Sequence, residues 1–268
     1  MASLTPLALW RRFLAAPADS RGKTLIMAFL VSAVCALAVS TAAVLLGPRL
    51  DANRAAEARA RLESLVATLP GLADLLAEAG ADRLDEIVVD LTAATVAEGI
   101  MPEEFDPETV ARDPALNTEL SPEADIAHIG TRPNLARLYI VRSGAETALV
   151  ILPVYGAGYQ STIRGYLALE GDLNTVAGLT ITEQSETPGL GAKIEDAAWQ
   201  ALWPGTKLAD DTGEIRFAVK KGGATTEFEV DGITGATRTG NGVTNMIRFW
   251  VGPDGFGPVL DRLGRGEI

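Results

Sequence analysis

The chain has 268 residues, and its 35 Asp and Glu side chains outnumber 23 Lys and Arg side chains, which gives a formal charge of −12 at pH 7. A chain this acidic would repel phosphates, so we expect no nucleic-acid partner. Apolar residues make up 47% of the sequence, enough for the core of one or two domains. One cysteine and one histidine exclude intramolecular disulfides, Cys/His zinc sites and cysteine-ligated iron–sulfur clusters. Redox chemistry carried by an organic cofactor stays open.

The first predicted element is a membrane-spanning helix over residues 24–47. This run has no charged residue and as a helix would be about 36 Å long, enough to cross a bilayer. Four basic side chains and one acidic side chain precede it, which predicts a cytoplasmic arm over 1–23 and export of residues 48–268. A cleaved signal peptide is the alternative, because residues 40–42 are small enough for signal peptidase. Cys35 lies inside the run and is expected to be a packing residue.

Residues 48–135 are predicted to form a juxtamembrane helix followed by an acidic region. Apolar residues recur at helical spacing between positions 51 and 79. Between positions 78 and 125, 14 acidic residues stand against two basic ones, so the excess negative charge of the chain is regional. We interpret the acidic region as a solvated face or loop, with a docking surface for a basic partner as the alternative.

Residues 136–268 are predicted to form an α+β domain on a mixed or largely antiparallel sheet. Short β-rich runs predict strands over 138–141, 148–154, 164–169, 175–182, 215–219 and 226–230, with helices over 194–202 and 240–251. No hydrolase signature such as GxSxG or phosphate-binding signature such as GxxxxGK[ST] occurs, and His128 lies in a connection. We therefore assign no catalytic residue and no metal ligand.

The first unusual segment of this domain is 183–193, which follows a predicted strand and precedes a predicted helix. Pro188 and two glycines require a turn that exposes backbone N–H groups, and Glu186 and Thr187 add polar groups. Leu190 is held at the tip of this turn, where an apolar side chain has little reason to be unless it packs on something flat. An ordinary strand-to-helix turn and a ligand cradle both stay open.

The second unusual segment, 231–243, leaves a predicted strand through small residues and opens a predicted helix. A helix start preceded by Gly and Thr is a natural anion site, because its free N–H groups and the positive end of its dipole meet there. The alternative is ordinary capping of the helix by Thr239 or Asn241.

Together these segments resemble the flavin-bearing C subunit of the sodium-translocating NADH:quinone oxidoreductase, and more broadly the flavin-binding subunit of Rnf-type electron-transport complexes. Residues 231–237 match the family's flavinylation signature Asp-x-x-Thr/Ser-Gly-Ala-Thr, and residues 186–191 match its Glu-Thr-Pro-Gly-Leu-Gly loop. A third block, 153–169, resembles the sodium-pump protein more than its Rnf-type relative. Residues 157–160 depart from a Lys-Gly-Leu-Trp-like stretch, and Arg238 replaces a residue that is often apolar.

The resemblance implies a covalent FMN cofactor, joined through its phosphate to the hydroxyl of Thr237. A separate FAD-dependent flavin transferase would make this phosphoester, and Asp231 is implied in its recognition. Leu190 is implied to pack on the flavin ring. The residues implied to bind FMN around Thr237 are Glu186, Thr187, Leu190, Gly191, Ser161, Thr162, Thr234, Gly235 and Ala236.

The function implied is that of an electron carrier without independent activity. It would be a single-pass subunit of a bacterial inner-membrane complex, with its large domain periplasmic, and the whole complex would couple NADH oxidation and quinone reduction to sodium export. One alternative is the Rnf-type flavoprotein of the same fold. The other is a membrane-anchored sensor or binding ectodomain that never receives a flavin.

Overall fold

The computed structural model of the chain describes residues 22–41, 84–143 and 146–268. The chain divides into two units, residues 1–59 and 60–268. The first contains helix α1 (Gly22–Thr41), which is long and apolar enough to cross a membrane and has a mean hydropathy of 2.2. Both interpretations of the sequence, a spanning helix and a signal sequence, are compatible with this helix. The end of the predicted span, 42–47, and the predicted juxtamembrane helix lie outside the described residues.

The second unit is an α+β domain built on a six-stranded antiparallel sheet, as predicted. In chain order the strands are β1 (Leu84–Asp90), β2 (Thr95–Val96), β3 (Asn117–Glu119), β4 (Thr131–Pro133), β5 (Leu135–Ser143), β6 (Glu146–Ala157), β7 (Thr162–Glu170), β8 (Val176–Glu183), β9 (Ala218–Lys220) and β10 (Glu229–Asp231). The helices among the described residues of this unit are α2 (Pro107–Arg112), α3 (Ala197–Gln200), α4 (Thr237–Val251) and α5 (Gly257–Gly264). The sheet order is β2-β1-β5-β6-β7-β8, and two small pairs are antiparallel β3–β4 and parallel β9–β10.

Strand β1 lies in the acidic region, for which the sequence predicts a solvated face or loop. The prediction of a loop is wrong for residues 84–90, whereas a solvated face fits exposed acidic side chains such as Glu86. β1 pairs along its whole length with β5, and Val88 and Val89 are buried. Its acidic residues flank this apolar pair: Glu86 is exposed, and Asp90 accepts hydrogen bonds from two N–H groups of the turn that follows. Val88 and Val89 point to opposite faces and pack into different apolar clusters, so both faces of the strand are covered in its middle while the carboxylates lie toward its ends.

The elements after β8 differ from the prediction mainly in length. The predicted helix over 194–202 is a 3-10 turn (Gly191–Glu195) followed by the four residues of α3, and the last two predicted strands shorten to three residues each. The predicted helix over 240–251 begins three residues earlier, at Thr237. This earlier start places residues 237–243 of the second unusual segment within α4 and leaves residues 231–236 before it.

Helix α4 crosses the sheet close to β6. Its apolar face includes Met246 and Trp250, both buried, and burial of each such side chain contributes roughly 2–3 kcal/mol. A Cβ atom at Gly156 would lie 3.0 Å from Cβ of Met246, and one at Gly242 would lie 2.5 Å from the carbonyl oxygen of Ala157. Backbone contact through these glycines brings the start of α4 beside the turn between β6 and β7.

Candidate functional site

A cavity of about 320 Å³ opens where the loop after β8 meets the start of α4. Its walls come from the β6–β7 turn, from the first unusual segment and from the second. The lining residues are Tyr159, Thr187, Leu190, Gly191, Gly235, Ala236, Thr237, Arg238 and Thr239. The two segments that stand out in the sequence thus form one site.

The start of α4 presents unbonded backbone N–H groups at this cavity. Ala236 is the residue before the first helical turn, and no side chain among the described residues caps it. The first hydrogen bond within the helix runs from Gly240 N–H to the Ala236 carbonyl at 3.0 Å. The N–H groups of Thr237, Arg238 and Thr239 therefore have no acceptor inside the helix. Such a helix start favours a bound anion.

The predicted capping of this helix by Thr239 or Asn241 is wrong. Both residues lie within α4, because the helix begins at Thr237. Thr239 is only 2% exposed, and its hydroxyl donates a hydrogen bond of 2.7 Å to Oε2 of Glu186. Thr239 thus joins the helix to the loop after β8 rather than satisfying its own helix end.

Glu186 is a buried carboxylate, 3% exposed, that ties three parts of the chain together. Its Oε1 accepts hydrogen bonds from the N–H groups of Tyr159, Gln160 and Ser161 at 3.0, 2.9 and 3.2 Å, while its Oε2 accepts the hydroxyl of Thr239. Burial raises the pKa of Glu186, but the hydrogen bonds, led by that of Thr239, outweigh burial and leave the pKa below its ordinary value. Glu186 is therefore a carboxylate at neutral pH.

Two glycines allow the backbone to approach this carboxylate. A Cβ atom at Gly158 would lie 2.5 Å from Oε1 of Glu186. One at Gly191 would lie 2.5 Å from Oγ1 of Thr239. Neither gap would admit a methyl group, so the β6–β7 turn, the loop and the helix start depend on these glycines to close around Glu186.

Leu190 and Thr237 lie at the surface of the site. Leu190 is 42% exposed, and Thr237 is an exposed residue at the first position of α4. Gly235 has a φ of +82°, and a Cβ atom there would lie 2.9 Å from Cδ2 of Leu190. Glycine is therefore favoured at this position both by its backbone conformation and by the contact with Leu190.

The structure separates the predicted FMN-binding residues into two groups. Six of them line the cavity: Thr187, Leu190, Gly191, Gly235, Ala236 and Thr237. The others, Glu186, Ser161, Thr162 and Thr234, do not, and nor does Asp231 of the predicted transferase signal. Glu186 and Ser161 bond to each other and to backbone groups inside the protein.

Two residues of the cavity wall, Tyr159 and Arg238, were not assigned a role from the sequence. The guanidinium carbon of Arg238 lies 5.2 Å from the centroid of the Tyr159 ring, and Tyr159 is 49% exposed. Each residue departs from the family pattern, and this departure is the one sequence feature that draws attention to it. Their contact joins positions 79 residues apart, so local sequence could not reveal it.

The arrangement suits a ligand with an anionic group and a flat apolar group. Free N–H groups at the start of α4 match the anion, while Leu190 and Tyr159 offer two half-exposed surfaces for the flat group. Among the described residues no cluster of His, Cys, Asp and Glu could hold a metal ion. The redox chemistry of such a site would come from the ligand.

The FMN-binding domain family matches residues 158–252, a range that includes both unusual segments. The C subunit of the Na(+)-translocating NADH-quinone reductase from Pseudomonas aeruginosa is 38% identical over 256 residues, which cover 93% of this chain and 98% of the relative. The corresponding protein from Vibrio parahaemolyticus is 38% identical over 255 residues, with the same coverage of both chains.

Two solved structures are also similar. The crystal structure of Shewanella oneidensis NqrC has a TM-score of 0.67 and 32% identity, and the match covers 79% of this chain and 98% of that one. The C subunit from Parabacteroides distasonis, at 22% identity and a TM-score of 0.53 over 81% of this chain and 95% of that one, shows the fold alone. Fold and site define an FMN-binding domain protein. More particularly, the chain belongs to the NqrC family, the C subunits of the Na(+)-translocating NADH-quinone reductase.

Proposed function

We propose that this chain is an electron-carrier subunit in which FMN is joined through its phosphate to the hydroxyl of Thr237. The coarser part of this function follows from family membership: the chain is a membrane-anchored FMN flavoprotein subunit of a sodium-translocating NADH-quinone reductase, and it works in a complex with the other subunits. The observation that favours Thr237 is its exposed position at the first residue of α4, on the wall of the cavity.

The other two threonines of this segment are poorer attachment points. Thr239 is buried and its hydroxyl is bonded to Glu186. Thr234 is exposed but does not line the cavity. A phosphate on Thr237 would lie next to the unbonded N–H groups at the start of α4, where a negative charge is stabilised.

The protein's own contribution to the proposed function is position and environment. Leu190 would cover the ring of the flavin and reduce its contact with water. The carbonyl oxygen of Thr187 accepts hydrogen bonds from the N–H groups of Leu190 and Ala192, both at 3.1 Å, which fixes the loop that carries Leu190. FMN supplies the redox chemistry, and the site adds no acid or base to it.

The proposal includes a flavin transferase as a partner. Asp231, Thr234, Gly235 and Thr237 are all exposed, so the signature is accessible in the folded domain. The small side chains before Thr237 leave room for a bulky donor. Asp231 would serve recognition rather than flavin binding, since it lies outside the cavity.

The proposed orientation places the N-terminal arm in the cytoplasm and residues 48–268 in the periplasm. The excess of basic residues before the apolar run supports it. Protease added to right-side-out inner-membrane vesicles should digest the large domain. Protection of that domain would contradict the orientation.

Intact-mass spectrometry of the full chain co-expressed with a flavin transferase tests the attachment. The wild type should gain the mass of one FMN phosphoester, and Thr237→Val should gain none although it folds, because valine keeps the shape and β-branching of threonine. Thr226→Val, at an exposed threonine outside the signature, is the matched control and should carry flavin. A flavin on Thr237→Val would refute the site, and a wild type that never gains flavin would favour the sensor or binding ectodomain.

A further inference from the structure

We propose that Tyr159 and Arg238 form a positioning pair for the flavin. Tyr159 holds the guanidinium of Arg238 at the cavity, where its positive charge stabilises the reduced flavin ring and raises the flavin's reduction potential. This inference rests on the proposed function. It concerns two side chains to which neither the sequence patterns nor the family matches assign a role.

Glu186 holds the backbone of Tyr159 in place. The backbone N–H of Tyr159 lies within hydrogen-bond distance of both carboxylate oxygens of Glu186, at 3.0 and 3.1 Å. This anchoring holds the turn that carries the Tyr159 ring, and the guanidinium of Arg238 lies over that ring at a distance typical of a cation–π contact. An exposed arginine is thereby held at the cavity wall instead of sampling the solvent.

The charge of Arg238 is not neutralised by a described acidic residue. Arg238 forms no ion pair within 84–143 and 146–268, whereas Arg216 pairs with Asp210 and Arg265 pairs with Glu267. Glu186 is the buried carboxylate beside the cavity, but its oxygens already accept hydrogen bonds from three N–H groups and a hydroxyl. The guanidinium of Arg238 would therefore be available to stabilise a new negative charge in the cavity.

The ring of the flavin is a better partner for this cation than the phosphate. The phosphate on Thr237 would be bound by the N–H groups at the start of α4, whereas the guanidinium of Arg238 lies over the ring of Tyr159 in the β6–β7 turn. One electron from a donor carrier of the complex, taken up without a proton, would add one negative charge to the ring. This charge would be lost again when the electron passes to the next carrier. A nearby cation lowers the free energy of the charged, reduced state more than that of the neutral, oxidised state.

The test is a spectroelectrochemical titration of the flavinylated full chain and three variants. Arg238→Gln removes the charge, Arg238→Lys keeps it, and Arg265→Gln, the control, removes the exposed charge of a residue that does not line the cavity. Arg238→Gln should weaken the preference for the reduced ring about threefold, which is ~28 mV for a one-electron couple. Arg238→Lys and Arg265→Gln should stay close to the wild type. The effect should shrink at about 1 M salt, because salt screens exposed charges.

A second variant tests the role of Tyr159. Tyr159→Leu keeps an apolar wall but removes the aromatic face, so the guanidinium should lose its anchor and the potential should move in the same direction as in Arg238→Gln, by less. The double variant should then match Arg238→Gln in potential. An independent, additive shift from Tyr159→Leu would contradict the pairing.

Three outcomes would overturn the proposal. One is a potential of Arg238→Gln equal to that of the wild type, and another is an Arg238→Lys variant as perturbed as Arg238→Gln. The third is an Arg238→Gln chain that carries less flavin at an unchanged potential, since that result would assign the cation to the phosphate. A wild type without covalent flavin would instead remove the proposed function itself, so the two failures are distinguishable.

Discussion

Two layers of the site use neighbouring residues in opposite ways. The inner layer, Glu186 with Thr239, is polar and buried, whereas the outer layer, Leu190 with Thr237, is apolar or reactive and exposed. Glu186 and Leu190 belong to one loop, and Thr237 and Thr239 belong to one helical turn. Each of these two short segments therefore contains both a residue that builds the site and a residue that faces its ligand.

This arrangement inverts the usual preference for apolar residues inside and polar residues outside. In the inner layer the inversion is stabilised by hydrogen bonds to every part of the carboxylate, because a buried charge without partners would be strongly destabilising. In the outer layer nearly half of the apolar Leu190 residue is exposed to water. A ligand that covers Leu190 would remove that surface from water.

The largest expected effect is that of Glu186→Gln on stability. The amide can replace only one carboxylate oxygen as an acceptor and would leave a buried donor without a partner, so the free energy of unfolding should fall by about 3 kcal/mol. Denaturant unfolding of the purified protein measures it. An unchanged midpoint would mean that Glu186 does not hold the site together.

The pH dependence of the same variant isolates the charge of Glu186. Because the folded-state pKa is depressed, the carboxylate stabilises the fold above the ordinary glutamate pKa, and this contribution disappears as the pH falls through the folded-state value. Other carboxylates whose pKa is lowered, such as Asp172, contribute the same pH dependence to the stability of the wild type and of Glu186→Gln, so they cancel in the difference. The stability difference between wild type and Glu186→Gln should therefore narrow on acidification below the ordinary glutamate pKa. A difference that grows in acid would have the wrong sign.

Thr239→Val should have the next largest effect. Valine fills the same volume but cannot donate the hydrogen bond to Glu186, so we expect a loss of about 1.5 kcal/mol in unfolding free energy. Thr234→Val, at an exposed position, should change it by less than about 0.5 kcal/mol. Equal costs for the two variants would mean that burial of Thr239 and its hydrogen bond to Glu186 do not contribute to stability.

Leu190→Ala should have the smallest effect on stability, below about 0.5 kcal/mol, because the side chain is nearly half exposed. The flavin should stay attached, yet its potential should shift as water gains access to the ring. A redox titration and the visible spectrum of the variant are the measurements. If both match the wild type while stability falls, Leu190 packs on protein and belongs to the inner layer.

The central strands of the sheet were predictable because their apolar runs are local signals. The predicted run 148–154 lies within β6, and β7 and β8 begin and end within two residues of the prediction. Strand β1 was missed because its apolar core of three residues is flanked by carboxylates inside an acidic stretch. Its assignment depends on pairing with β5, a contact that composition does not encode.

The site was predictable as two segments but not as two layers. A glutamate in a Gly-rich turn gives no sign of burial, because three of its four principal partners are backbone N–H groups some 25 residues earlier in the chain. The start of α4 was placed too late for a related reason: Gly240 and Gly242 weaken the local helix signal, while contacts with the sheet stabilise the helix. Both errors concern tertiary contacts.

Peptide mapping of the wild-type chain, co-expressed with a flavin transferase, tests the central claim most directly. Trypsin cleaves after Lys221 and Arg238, which places Thr234 and Thr237 in the peptide 222–238 and Thr239 in the next one. We predict that the FMN mass is found on peptide 222–238 and that fragmentation assigns it to Thr237. Flavin on Thr234, flavin on the peptide that begins at Thr239, or no flavin on either would contradict the account.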